Sequence, residues 1–86
     1  MSEHAEAMTA IVDFLRERYA RFGPCQVTSK AIAKAAAEPL GMSLCQVSHI
    51  VWQICRFLEE CEALEVFNTN GRGVTTFDVK ARILGI

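Results

Sequence analysis

The sequence lacks any excess of positive charge, because nine Lys and Arg residues stand against ten Asp and Glu residues and give a formal net charge of −1. Domains that bind nucleic acid more often carry a basic excess, so only the local placement of charge can support such a partner. No apolar run approaches the ~20 residues that a membrane-spanning helix needs, and no basic-then-apolar leader begins the chain. We therefore expect a cytoplasmic protein with no membrane partner.

Motifs of metal sites and enzymes are also missing. The cysteines contain no C-x-x-C pair, and His4 and His49 are the two histidines that could assist them, which makes a poor zinc set. No glycine-rich phosphate loop joins a strand to a helix, and two separated histidines suggest no nucleophile and base. We expect no metal, no cofactor and no enzyme activity. Buried free thiols are expected, with a disulfide within or between chains as the alternative, at Cys25, Cys45, Cys55 and Cys61.

What the chain does have is enough apolar residues for one small core. It contains 86 residues, of which 51% are hydrophobic and 22% are charged. This composition predicts a single globular domain over residues 1–86. A core of this size is modest, so association with a second copy is a reasonable source of further stability.

The first 22 residues carry the pattern of an amphipathic helix, which we predict from about His4 to Phe22. Phe14 falls off the apolar stripe beside Ala7 and Ala10, and is either an ordinary exposed side chain or a contact in a homodimer. The C-terminal segment Ile83–Ile86 is expected either to close over the core or to pair with a second subunit. The apolar stripe of the helix, expected to face the core, consists of Met8, Ile11, Val12, Leu15, Tyr19 and Phe22.

A second, shorter helix is predicted after a break at Gly23-Pro24. Cys25–Val27 allows a short extended segment, and Thr28 or Ser29 can cap the helix that follows. We expect the pair Glu38-Pro39 to stop this helix, because the residue before a proline avoids helical backbone.

The third helix has the clearest start signal in the chain. Ser43 and Gln46 have the spacing of a capping box, which predicts that the helix begins at Leu44. Trp52 is unusual on a polar face, and we expect it to pack on the following hairpin, to make a dimer contact or to stack against a partner. The core side of the helix is predicted to hold Val47, Ile50, Val51, Ile54, Phe57, Leu58 and Cys61. The outer side is predicted to hold Cys45, Gln46, Ser48, His49, Trp52, Gln53, Arg56 and Glu60.

A β-hairpin is predicted next, because β-prone residues alternate on either side of the turn segment Asn68–Gly73. Glycines on both sides of Arg72 permit left-handed backbone and let the tip approach a DNA groove closely. The alternative is a merely flexible, solvated tip. Lys80 and Arg82 are expected to extend the basic side of the hairpin.

Residues from about Val27 to Val79 resemble the winged helix-turn-helix family of small archaeal and bacterial transcriptional regulators. The resemblance is carried by the segments Thr28–Ala33, Leu40–His49 and Asn70–Val74. It implies a mostly α fold with a small β-hairpin, an α+β arrangement of three helices and a C-terminal wing. The first helix would occupy residues 1–22, the helix-turn-helix 28–62 and the wing hairpin 63–80.

The resemblance implies sequence-specific binding of double-stranded DNA, usually as a twofold dimer. Helix 44–61 would lie in the major groove, and the wing at Arg72 would lie on the minor groove or the backbone. The alternative function is that of a winged-helix module that binds a protein and makes no DNA contact. With the polar residues of the outer helix faces added, the candidate DNA-binding residues are Ser29, Lys30, Lys34, Cys45, Gln46, Ser48, His49, Gln53, Arg56 and Arg72.

Overall fold

The chain forms three α-helices and a three-stranded antiparallel sheet, as seen in a computed structural model that describes residues 2–86. The α+β class predicted from the sequence is therefore confirmed. A short 3₁₀ helix, Ala81–Gly85, ends the chain. In chain order the remaining elements are α1 (Glu3–Phe22), β1 (Cys25–Thr28), α2 (Ser29–Leu40), α3 (Leu44–Glu60), β2 (Leu64–Thr69) and β3 (Thr75–Val79).

Each α-helix begins at a side-chain cap. The hydroxyl of Ser2 accepts the Ala5 N–H, and that of Thr28 accepts the Ala31 N–H. At α3 the capping box is complete, because Ser43 Oγ accepts the Gln46 N–H while Gln46 Oε1 accepts the Ser43 N–H. The predicted start at Leu44 is confirmed.

The end of α2 lies one residue beyond the predicted stop. Pro39 is inside the last turn, where it removes a single helical hydrogen bond. Gly41, with left-handed backbone, and Met42 then donate their N–H groups to the carbonyls of Glu38 and Ala37, which closes the helix. The turn between α2 and α3 is short as a result.

The sheet has the order β1-β3-β2, with both pairs antiparallel. Val27 and Val66 are the partners of Phe77 on its two sides, so these three residues share one face of the sheet. A register shift between Val66 and Asn68 marks a bulge at Phe67. The predicted hairpin and the short extended segment before α2 are both confirmed as strands.

Fully buried side chains from every layer form the core. The 3₁₀ helix closes over it through Ile83, and Arg16 Nη2 of α1 donates to the Leu84 carbonyl at 3.2 Å. The predicted core positions of Phe22 and Phe57 are wrong, because both side chains are exposed at the ends of helices where no neighbouring element covers them. The largest fully buried side chains are Ile11, Leu15, Ile32, Ile54, Leu58, Ile83, Val47 and Val79.

Candidate functional site

The outer face of α3 is polar and exposed, as predicted. Ser48 Oγ donates to the Cys45 carbonyl at 2.9 Å, and Gln53 Nε2 lies 3.3 Å from His49 Nε2. Arg56 lies one turn beyond Trp52 and is also exposed. The exposed surface of α3 thus offers hydroxyl, amide, imidazole and guanidinium groups along one side.

Gln46 is both a capping residue of α3 and an exposed residue on its outer side. Its Oε1 accepts the Ser43 N–H at 2.9 Å, so one oxygen lone pair is occupied by the cap. The side chain is exposed, and its amide Nε2 makes no hydrogen bond within residues 2–86. A partner on this face would therefore meet Gln46 mainly as a hydrogen-bond donor.

A cleft lies where α2, α3 and the hairpin meet, and we call it the Trp52 cleft. Ser29 and Lys30 stand at its α2 side, Ser48 and Trp52 at its α3 side, and Gly73 at the hairpin side. Its volume is about 260 Å³, and Lys30 is the one charged residue that lines it. The remaining lining residues are Ala33, Val51, Cys55, Val74 and Phe77.

Ser29 joins α2 to the hairpin. Its Oγ accepts the backbone N–H of Thr75 at 3.1 Å, across 46 positions of the chain. The Ser29 hydroxyl keeps its own proton free to donate to a second group. The hydrogen bond fixes the base of the hairpin turn against the first residue of α2, which sets the shape of the Trp52 cleft.

The hairpin tip is organised by Asn70. Its Oδ1 accepts the N–H of Arg72 at 2.8 Å and that of Val74 at 3.1 Å. Gly73 has a φ of 79°, a conformation that side-chain-bearing residues rarely adopt. Of the two glycines that permit left-handed backbone beside Arg72, Gly73 adopts it and Gly71 does not. Arg72 is exposed between them, directly beside the Trp52 cleft.

The positive charge at the base of the hairpin is neutralised by acids. Lys80 Nζ lies 2.7 Å from Glu65, and Arg82 lies 3.7 Å from Glu62. The hydrogen bond from Lys80 lowers the pKa of Glu65, and the same bond raises the pKa of Lys80. The expected extension of the basic side through these two residues is therefore wrong. Ion pairs within residues 2–86 leave out six of the nine Lys and Arg side chains. Two of the six are on α1, where Arg16 donates to the Leu84 carbonyl and Arg18 lies over the Phe14 ring. The other four are Lys30, Lys34, Arg56 and Arg72.

Lys34 is separated from the other candidate residues. It lines a second, wider cleft between α1 and α2, with Asp13, Glu17 and Glu38 around it. Although Lys30 and Lys34 are one turn apart, the first faces the hairpin side of α2 and the second faces α1. The acids make this second cleft a poor surface for phosphate.

The second cleft also contains most of the face predicted for a homodimer. Ala10 and Phe14 line it, and the Arg18 guanidinium lies 5.4 Å from the centre of the Phe14 ring. Ala7 is fully buried in the core, so its predicted place on an outer dimer face is wrong. Its small side chain lets α1 pack closely instead of meeting a second copy.

All four cysteines lie in the described part of the chain and are free thiols. Burial, with a smaller contribution from the charge of Glu59, raises the pKa of Cys55 to about 12, so this thiol is inert at neutral pH. Cys45 is exposed and Cys25 and Cys61 are half-buried, so the expectation of buried thiols holds fully for Cys55 alone. Across residues 2–86, no three His, Cys, Asp or Glu side chains come together as metal ligands.

None of the helices between Ser2 and Ile86 is long and apolar enough to cross a membrane. Comparisons with protein-family models, with curated proteins and with solved structures found no match.

Placement of Trp52 beside the following hairpin was one of three expectations from the sequence, and Trp52 does line a cleft together with Gly73 and Val74. The part of α2 in this cleft was not predicted. The outward position of Trp52 was predictable from the helix period, but its neighbours Lys30 and Gly73 are 22 and 21 positions away in sequence. Their approach depends on how the hairpin returns over α3. The hydrogen bond between Ser29 and Thr75 gives no sequence signal that could have indicated it.

Proposed function

We propose that this chain is a winged helix-turn-helix domain that binds double-stranded DNA in a sequence-specific manner, as a transcriptional regulator. The observation that carries the proposal is the Trp52 cleft, where the start of α2, the middle of α3 and the hairpin tip meet. A DNA reader of this class needs these three parts on one side, because they serve backbone, major groove and minor groove respectively. The short turn between α2 and α3 and the order helix, helix, hairpin support the same assignment.

In this proposal α3 enters the major groove by its N-terminal half. The exposed residues there, Gln46, His49 and Gln53, offer the donors and acceptors that read base edges. Ser48 lies at the edge of this surface, next to the Trp52 cleft, and suits a phosphate or a sugar. Cys45 adds a small side chain that allows close approach to a groove wall.

The backbone phosphates would be held by cations that lack intramolecular partners. Lys30 is in the first turn of α2, which contains no acid, so its charge adds to the positive end of the helix dipole. Arg56 extends from the outer side of α3, and Arg72 extends from the hairpin tip towards the minor groove or the backbone. The three cations come from α2, from α3 and from the hairpin tip, the three elements that make up the proposed interface.

The net charge of −1 is compatible with this interface because most of the nearby acids lie at the other end of α3. Gln46 and Glu60 are fourteen residues apart, which corresponds to about 21 Å along a helix axis. This exceeds the Debye length of about 8 Å at physiological ionic strength. The repulsion from the acids at the end of α3 is therefore largely screened at the N-terminal half.

The direct test is a mobility shift with a random-sequence duplex over a salt series. Three phosphate contacts predict a slope of log K against log salt of about −3 for each bound protomer. Absence of binding at low salt would remove the proposal. Binding whose strength does not vary with salt would also contradict it, since release of counterions is unavoidable when cations meet phosphates.

Gln46 allows base reading to be separated from helix capping. Gln46→Ala removes both the cap and the amide donor, whereas Gln46→Glu keeps an oxygen for the Ser43 N–H, loses the donor and adds a negative charge. That charge weakens binding to all duplexes alike, so the comparison uses base preference and not affinity. We expect Gln46→Ala alone to lower the free energy of unfolding, by about 1 kcal/mol. Both variants should change the base preference at one position of a selected duplex, by about 1 to 3 kcal/mol.

The measurements are denaturant unfolding and binding to duplexes that differ at single base pairs. If both variants keep the base preference of the unmodified protein, Gln46 is a capping residue and no more. If Gln46→Glu is destabilised as much as Gln46→Ala, the capping interpretation is wrong.

A second candidate function, binding to a protein, is favoured by the free edge of β2. Val66 and Phe67 on this strand are 48% and 59% exposed, and no Lys, Arg or Pro lies within Leu64–Thr69 to discourage pairing. An edge of this kind suits a strand from a protein partner or from a second copy of the chain. Light scattering of the purified chain, with Phe67→Lys as the comparison, distinguishes a homodimer formed through this edge from a monomer.

A further inference from the structure

We propose that the Trp52 cleft binds the sugar-phosphate backbone of the duplex, with the Trp52 indole against a deoxyribose and Lys30 against the adjoining phosphate. The inference rests on the proposed function, since it assigns a position to one DNA strand within that interface. It names Trp52 as an affinity determinant that acts without reading bases.

The position follows from the geometry of a duplex. The major and minor grooves are about 12 Å and 6 Å wide and are separated by a single phosphodiester strand. If α3 lies in the major groove and Arg72 in the adjacent minor groove, that strand has to cross the surface between α3 and the hairpin. The Trp52 cleft is that surface, because Ser48 and Trp52 line one side of it and Gly73 and Val74 the other.

The chemistry of the cleft matches the strand. A backbone repeat has an apolar sugar face and an anionic phosphate, and the cleft has an apolar wall and a polar end. Trp52, Val74 and Phe77 contribute to the wall, while Lys30 and Ser29, whose hydroxyl can still donate, line the α2 end. No acidic residue lines the cleft.

The exposure of Trp52 also requires an explanation. The side chain is 56% exposed, although tryptophan gains more than most residues from contact with an apolar surface. Trp52 lines one side of the cleft, and its indole offers an apolar surface larger than a sugar ring. Because a sugar is common to all nucleotides, this contact strengthens binding to every sequence equally.

The chain contains one tryptophan, so its intrinsic fluorescence reports Trp52 alone. We expect a saturating duplex to protect the indole from acrylamide, lowering the quenching constant at least twofold. Trp52→Ala should weaken duplex binding about tenfold, with an unchanged salt slope and unchanged base preference, because it removes no charge and no base contact. Trp52→Phe, which keeps an aromatic face, should recover part of the loss. Thermal unfolding of both variants checks that each is folded.

Three results would overturn the assignment. A duplex that binds in the mobility shift but leaves the quenching of Trp52 unchanged removes the cleft assignment and leaves the proposed function standing. No duplex binding at low salt removes both. Stronger protection of Trp52 by a single strand than by the duplex of the same sequence would mean that the indole stacks on unpaired bases, which contradicts a sugar contact.

Discussion

Replacing Leu58 with alanine should lower the free energy of unfolding by about 2 to 5 kcal/mol. The Leu58 side chain is fully buried, and its carbonyl accepts the Ala63 N–H that closes the C-terminal end of α3. Alanine leaves a cavity where α3 packs against the rest of the core, and surrounding side chains relax only in part. A domain of 86 residues has a total stability of about 4 to 13 kcal/mol, so this single change removes a large share of it.

The adjacent residue supplies the matched control. Phe57 is the larger side chain but is 47% exposed, so Phe57→Ala should cost much less than Leu58→Ala. Denaturant unfolding of the two variants under identical conditions measures the difference. Equal losses, or a larger loss for Phe57→Ala, would show that the core face of α3 is rotated relative to the one described.

The contrast between Phe57 and Leu58 shows that the helix period predicts which side of a helix a residue lies on, but not whether another element covers it. The period places both residues on one apolar side of α3, and for Leu58 that prediction is confirmed. Coverage of Phe57 depends on whether another element extends to the end of the helix, and none in the described chain does. The same limit explains the exposure of Phe22 at the end of α1, where the predicted apolar stripe extends beyond the elements that pack against the helix.

The sequence was sufficient to predict those features that depend on contacts between residues close together in the chain. The capping box at Ser43 and Gln46 involves residues three apart, and the hairpin turn is organised by Asn70 within four positions. Both were predictable to within a residue or two. The order β1-β3-β2 and the hydrogen bond between Ser29 and Thr75 join distant segments, so their formation depends on the packing of the whole chain.

The candidate site also has some features that were predictable from local sequence and others that depend on the packing of distant segments. Exposure of Gln46, Ser48, His49 and Gln53 follows from the helix period and is confirmed. The separation of Lys34 from Lys30 was not predictable, because it depends on α1 packing along one side of α2. Neutralisation of Lys80 by Glu65 likewise requires the register of β2 on β3, which brings residues 15 positions apart together.

The second large expected effect is on duplex binding and concerns the positive charges of Lys30 and Arg72. The double variant Lys30→Ala/Arg72→Ala should weaken duplex binding about a hundredfold, because it removes two charged contacts worth about 1.5 kcal/mol or more each. The slope of log K against log salt should fall in magnitude from about 3 to about 1, since each lost phosphate contact contributes about 0.9. The loss should be similar for all duplex sequences. A mobility shift over a salt series measures both quantities.

The matched control is Arg21→Ala/Arg82→Ala, which changes the net charge by the same amount at ion-paired positions on α1 and the C-terminal segment. If the net charge of the protein governed binding, the two double variants would weaken binding equally. That result would contradict a specific role for Lys30 and Arg72 in the interface. If the placement of Lys30 and Arg72 governs it, the control keeps its affinity within about threefold, because Arg21 and Arg82 make no phosphate contact in the proposed interface. Each double variant removes two positive charges and so carries a net charge of −3 instead of −1, which means that a large difference in binding between the two reflects the position of the charges and not their sum.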